Sequence, residues 1–113
     1  MRRISEVVKI LLDNNENFVV FISIIAPFKS LREMIKEIIF PYKYYEVFVS
    51  CPLEVCEERD PKFLYKEARK KCVNVMTGLG SKYEEPENPD LIVDTNLYTI
   101  DECAEKVINI LPL

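Results

Sequence analysis

A chain of 113 residues, 49% hydrophobic and 30% charged, has the length of one globular domain. That composition excludes a disordered, collagen-like or low-complexity polypeptide. Its net charge of −4 argues against a duplex nucleic-acid backbone as the main partner, and the absence of histidine and tryptophan removes the commonest general base and zinc ligand.

Arg2 and Arg3 are followed by Ser5, Glu6 and Lys9, so no signal-peptide run begins here. Ile4, Val7, Val8 and Leu11 recur at helical spacing, and Asp13 to Asn17 then supply turn-forming residues. Phe18 to Ile25 is continuously apolar and β-branched or aromatic, which predicts a strand covered on both faces and ended by Pro27. The apolar run from Phe18 to Ala26 is too short to span a bilayer, so no membrane partner and a cytoplasmic location are expected.

Ser30 and Glu33 form a predicted capping box, with Leu31, Met34, Ile35 and Ile38 as the apolar stripe of a second helix ending before Pro41. Tyr44 to Val49 predicts a second strand, and Pro52 opens a short helix through Leu53, Val55 and Cys56. A further helix is predicted from Pro61 to about Lys71, then a surface loop from Ser81 to Pro89. Leu91-Ile92-Val93 predicts a third strand. Thr99 and Glu102 make another capping box, opening a last helix whose apolar face holds Ile100, Cys103, Ala104, Val107, Ile108 and Leu111. This alternation of helices and strands is that of a parallel α/β sheet with helices on its faces, in one domain spanning residues 1–113.

Three segments can carry chemistry. If 59–71 is helical, Lys62, Lys66, Arg69 and Lys70 share one face and Leu64, Tyr65, Ala68 and Cys72 another. Such a cationic row either clamps phosphates or is a solvated surface with Glu58 paired to Lys62. Pro27-Phe28-Lys29-Ser30-Leu31-Arg32 follows the end of the first predicted strand, where open α/β sheets bind ligands, so Lys29 and Arg32 can attract an anion there. Met76 to Ser81 contains the only glycines, Gly78 and Gly80. These allow a close backbone approach or simply a turn, and they exclude a glycine-rich phosphate cradle. Cys51, Cys56, Cys72 and Cys103 match neither a zinc knuckle nor a CxxC pair, so no metal centre is expected. Without a neighbouring base, Cys51 and Cys56 read as packing residues, Cys51 near a helix start.

Ala26-Pro27-Phe28, Glu46 to Val49, Pro52 to Lys62, Leu64-Tyr65-Lys66, Ala68-Arg69, Thr77-Gly78, Tyr83-Glu84, Pro86 and Pro89 together resemble the C-terminal two-thirds of adenylylsulfate kinase. The string from Cys56 to Arg69 is the most specific part of the likeness, which runs from Arg2 to the final helix. The resemblance implies a three-layer parallel-sheet, P-loop-kinase-like fold, truncated to about three strands and without its central P-loop strand. It also implies transfer of the γ-phosphate of ATP to the 3′-hydroxyl of adenylylsulfate, with Mg2+.

By the same resemblance the nucleotide lid comprises Arg59, Lys62, Leu64, Tyr65, Lys66 and Arg69, with Thr95 near the ATP base. Ile25, Pro27, Phe28, Lys29, Arg32, Val75, Met76, Thr77 and Gly78 lie on the substrate side. Ala26 occupies the position of the family's phosphorylatable serine, Met76 that of an adenine-stacking phenylalanine, and Phe63 that of the lid's glycine. The family's P-loop and its Asp-Gly-Asp-Asn segment precede the region that aligns. Those two segments supply most of the positioning and charge stabilisation of phosphoryl transfer, so the chain is expected to be inactive by itself. It is further expected to self-associate or to need an N-terminal P-loop partner chain, because apolar strand edges stand unpaired. The alternative reading is a non-catalytic nucleotide-binding or assembly module.

Overall fold

The computed structural model describes residues 2–59 and 83–112. The helix predicted from Pro61 to Lys71 and the glycine-containing turn at 76–81 lie outside the described residues. Two compact units are present, Met1–Tyr44 and Tyr45–Leu113.

In the first unit, α1 (Arg2–Asn14) and α2 (Lys29–Ile39) pack through Val8 and Leu12 on one side and Ile35 and Ile39 on the other. Full burial of each such side chain stabilises by about 1.5–3 kcal/mol. α1 ends where the sequence turns polar: Asn17 N–H donates to Asn15 Oδ1 at 3.0 Å and Phe18 N–H to Asn15 O at 3.1 Å. A link invisible in the periodicity ties the far end of α1 to the turn after α2. Tyr42 Oη donates to Asp13 Oδ1 at 2.5 Å, Lys9 Nζ donates to Phe40 O, and the Lys9 ammonium lies 5.2 Å from the Tyr42 ring centre. The bond to the Asp13 carboxylate, followed by burial, raises the Tyr42 pKa above 10.0.

The predicted strand Phe18–Ile25 is corrected by the structure: among the described residues it pairs with no strand. Its burial nevertheless alternates as a strand's does. Val20, Ile22 and Ile24 pack on the α1–α2 core, while Phe21 and Ile25 remain 69% and 60% exposed. A ladder needs a second backbone, and no described segment offers one. The Ser30 capping box is also corrected. Phe28 O accepts from Leu31 N at 3.1 Å and Arg32 N at 3.3 Å, so α2 starts at Lys29 and Ser30 falls inside it. The buried stripe shifts accordingly to Arg32, Ile35 and Ile39.

In the second unit, β1 (Val47–Ser50) pairs in parallel with β2 (Leu91–Asp94), in the register Val47↔Leu91 through Ser50↔Asp94. α3 (Leu53–Arg59) follows β1 directly, as Pro52 led one to expect. Both strands were expected, but the first begins at Val47 and not at Tyr44, and each runs one residue further than read, to Ser50 and Asp94. Glu46 fixes the start of the ladder: its carbonyl accepts from Asp90 N at 2.8 Å and its N–H donates to Asp90 Oδ2 at 2.6 Å. Tyr83 stacks near Phe48, with ring centres 6.2 Å apart. The last helix, α4 (Ile100–Ile110), packs against β2, so Val93 is 3% exposed while its register partner Val49 is 63% exposed. The expected apolar face of α4 is therefore only partly covered, and Ile100 is 87% exposed.

The Thr99–Glu102 capping box is present in full: Glu102 N–H donates to Thr99 Oγ1 at 3.2 Å and Thr99 N–H donates to Glu102 Oε1 at 3.1 Å. The backbone N–H of Thr99 holds the Glu102 carboxyl below the ordinary value of 4.5. A carboxylate depressed in the folded state stabilises fully above 4.5 and loses that contribution as pH falls through its folded value. Helicity followed by circular dichroism is therefore expected to fall more steeply below pH 4.5 in the parent than in Glu102→Gln, whose cap is pH-independent. In urea melts, Ile35→Ala is expected to cost about 2–5 kcal/mol, against less than about 0.5 kcal/mol for the exposed Glu37→Ala on the same helix.

Candidate functional site

A parallel sheet presents its ligands at the carboxyl ends of its strands. Here those ends are Ser50 and Asp94, aligned by the register. Thr95, the next residue, is drawn onto β1: its N–H donates to Ser50 O at 3.0 Å and its Oγ1 reaches the same oxygen at 3.3 Å. Asp94 shapes the exit, accepting from Asn96 N at 2.9 Å and Leu97 N at 3.1 Å through Oδ1.

Arg59, the last residue of α3, meets that corner. Its Nη2 donates to Thr95 O at 2.8 Å, and its Nη1 lies 3.3 Å from Thr95 Oγ1 and 3.9 Å from Cys51 Sγ. Three acceptors thus hold one planar cation at the ends of both strands. Arg59 and Thr95 also line a cavity of about 320 Å³ whose remaining wall includes Val49, Val93, Ile100 and Cys103. That volume is at the small end of ligand pockets, and one charged group on an otherwise apolar wall is their usual chemistry. Nearby, the Lys106 ammonium lies 3.4 Å from the centre of the Tyr98 ring. Burial, followed by a hydrogen bond with the Cys51 thiol, pushes the Cys56 thiol above 9.0.

The structure thus brings together two predicted residues, Arg59 and Thr95. Sequence reading missed Cys51 as a contact of Arg59, since its adjacency depends on how the turn into α3 closes. Lys62, Leu64, Tyr65, Lys66, Arg69, Val75, Met76, Thr77 and Gly78 lie outside the described residues.

The predicted substrate-side residues of the first unit surround the start of α2. Ala26 is 7% exposed and adopts φ of 42°, in the left-handed region that disfavours a residue with a Cβ. Arg32 is buried, and its Nη1 donates to Ala26 O at 2.6 Å. Arg32 therefore fixes the bend that carries Ile25 and Pro27 towards Phe28 and Lys29. Ile25, Phe28 and Lys29 are exposed, and Pro27 is half-buried. Among the described residues no group of three or more His, Cys, Asp or Glu is placed to hold a metal ion. No described helix is long and apolar enough to cross a membrane.

The model of the adenylylsulphate kinase family matches residues 1–94. The chain belongs to that family. It is 44% identical over 107 residues to a probable adenylyl-sulfate kinase of Halalkalibacterium halodurans, covering 95% of this chain and 52% of that protein. It is 40% identical to the adenylyl-sulfate kinase of Clostridium kluyveri over 111 residues, covering 98% of this chain and 54% of the relative. Among solved structures, the APS kinase of Mycobacterium tuberculosis in complex with AMPPNP and APS superposes with a TM-score of 0.87. That match has 36% identity and covers 96% of this chain and 62% of that one. The fold is accordingly the α/β fold of this kinase family, in a piece with a small parallel sheet. The chain spans about half the length of the curated relatives it matches.

Proposed function

We propose that these residues supply the nucleotide-base and lid half of an adenylylsulfate kinase, acting in the cytoplasm on ATP and adenylylsulfate. The γ-phosphoryl group passes to the 3′-hydroxyl of adenylylsulfate, giving the activated sulfate donor. The observation that carries this reading is the Arg59–Thr95 clamp at the strand ends. A guanidinium held by a backbone carbonyl and a hydroxyl keeps its plane fixed, and a fixed guanidinium plane is a stacking surface for a purine. The apolar wall beside it, from Val93 to Ile100 and Cys103, suits the rest of the base. The lid cations Lys62, Lys66 and Arg69 are assigned to the phosphates, and Ala26 to Arg32 with Val75 to Gly78 to adenylylsulfate. Both compact units are assigned to one kinase domain.

Phosphoryl transfer further needs a P-loop, which the 113 residues do not contain. We assign it to a segment that lays a strand beside Phe18–Ile25, whose alternating burial is that of a strand short of its neighbour. Mg2+ is assigned to that segment and the ATP phosphates, the ligands this ion ordinarily takes in phosphoryl-transfer sites. The exposed Phe18, Val19, Phe21 and Ile25 favour a second reading, an assembly module that pairs with an intact kinase without catalysing transfer.

Calorimetric titration of the chain with ATP is expected to give binding that Arg59→Ala weakens about tenfold, equivalent to ~1.4 kcal/mol. Lys62→Ala and Arg69→Ala should weaken it as well. Radiolabel should move from γ-labelled ATP to adenylylsulfate only when a P-loop polypeptide is added; binding without turnover in that mixture leaves the assembly reading. Sedimentation of the chain alone is expected to show self-association, which a stable, folded monomer at micromolar concentration would refute.

A further inference from the structure

The turn from β1 into α3 brings two thiols together. Cys51 follows the last residue of β1, Pro52 directly precedes α3, and Cys56 lies in the first turns of that helix. Cys51 and Cys56 therefore flank the helix start at the two positions whose side chains pack across it. The packing is direct: Cys56 Sγ donates to Cys51 O at 3.9 Å. On its other side the Cys51 sulfur accepts from Arg59 Nη1 at 3.9 Å. Both cysteines are free thiols and only half-buried, so a small oxidant can reach them.

We propose that Cys51 and Cys56 form an oxidation site, in which a peroxide closes an intramolecular disulfide and takes the Cys51 thiol from Arg59. The Cys51 sulfur attacks the peroxide O–O bond, becoming a sulfenic acid as one water leaves. The Cys56 sulfur then attacks that sulfur and displaces its hydroxyl as a second water. Hydrogen peroxide is reduced by two electrons, one from each sulfur, and the two thiol protons leave in the two waters. Cys56, held protonated by burial and by Cys51, is suited to react second. The bridge leaves Arg59 its two Thr95 acceptors but converts the third into a poorer one, loosening the cation at the strand ends. This chemistry stands on the thiol geometry and holds whichever nucleotide the corner accepts.

The test is peroxide treatment of the full chain, blocking of remaining thiols with N-ethylmaleimide, and digestion with endoproteinase Glu-C, which cuts after Glu54 between the two cysteines. The expected product is a linked pair of peptides, lighter by two hydrogens than the two thiol peptides and separated by a phosphine reductant. Cys103→Ser should keep the linked pair, and Cys51→Ser and Cys56→Ser should each lose it. Bridges to Cys72 or Cys103 in equal yield would overturn the proposal. So would maleimide on both Cys51 and Cys56 after oxidation of the other thiols, or sulfinic acid building up on Cys51 without a bridge. Should either serine variant fail to fold by circular dichroism, the parent's digest decides alone.

Discussion

The parallel pairing of β1 with β2 in a single register is the constraint on which the candidate site rests. Because Ser50 lies opposite Asp94, the residues just beyond each strand, Cys51 and Thr95, emerge side by side. A slip of one residue would reverse the face of every side chain on the moved strand and carry Thr95 off the Ser50 carbonyl. Glu46 and Asp90 guard against that slip by exchanging two hydrogen bonds at the opposite end of the ladder. The short α3 then returns Arg59 to the same corner, so a four-residue ladder organises a guanidinium, a hydroxyl and a thiol.

Both units leave apolar surface uncovered, and in each the cause is specific. α4 packs mainly on β2, and Val49 of β1 stays 63% exposed beside a buried Val93. Along Phe18–Ile25 one set of side chains enters the α1–α2 core while the alternate set faces outward. A continuous apolar run is the pattern of a strand covered on both faces, and here it meets a cover on one.

Much of this was legible in the sequence, and the gaps have physical causes. α1, α3, β1, β2 and the Thr99–Glu102 cap were read from spacing and side-chain type, because each depends on local pattern. The strand at 18–25 failed because pairing is not local: a β-branched run states a preference, and a partner must satisfy it. The cap at Ser30 failed because Phe28 O began the helix earlier and left the serine inside it. Of the site, Arg59 and Thr95 came from family resemblance, and only the fold brought them within hydrogen-bonding distance. The Cys51 contact and the Tyr42–Asp13 bond lay beyond any spacing rule, since each joins residues across a turn or between separate elements.

The manner in which Arg59 is anchored makes the two ends of that anchor unequal in evolution. Its shortest bond goes to the main-chain carbonyl of Thr95, an atom every amino acid carries, and only the longer one needs the hydroxyl. Position 95 can therefore drift to serine with both oxygens kept, or to valine or alanine with the carbonyl bond intact. Position 59 has no such latitude, because lysine lacks the forked, planar group that engages both oxygens together.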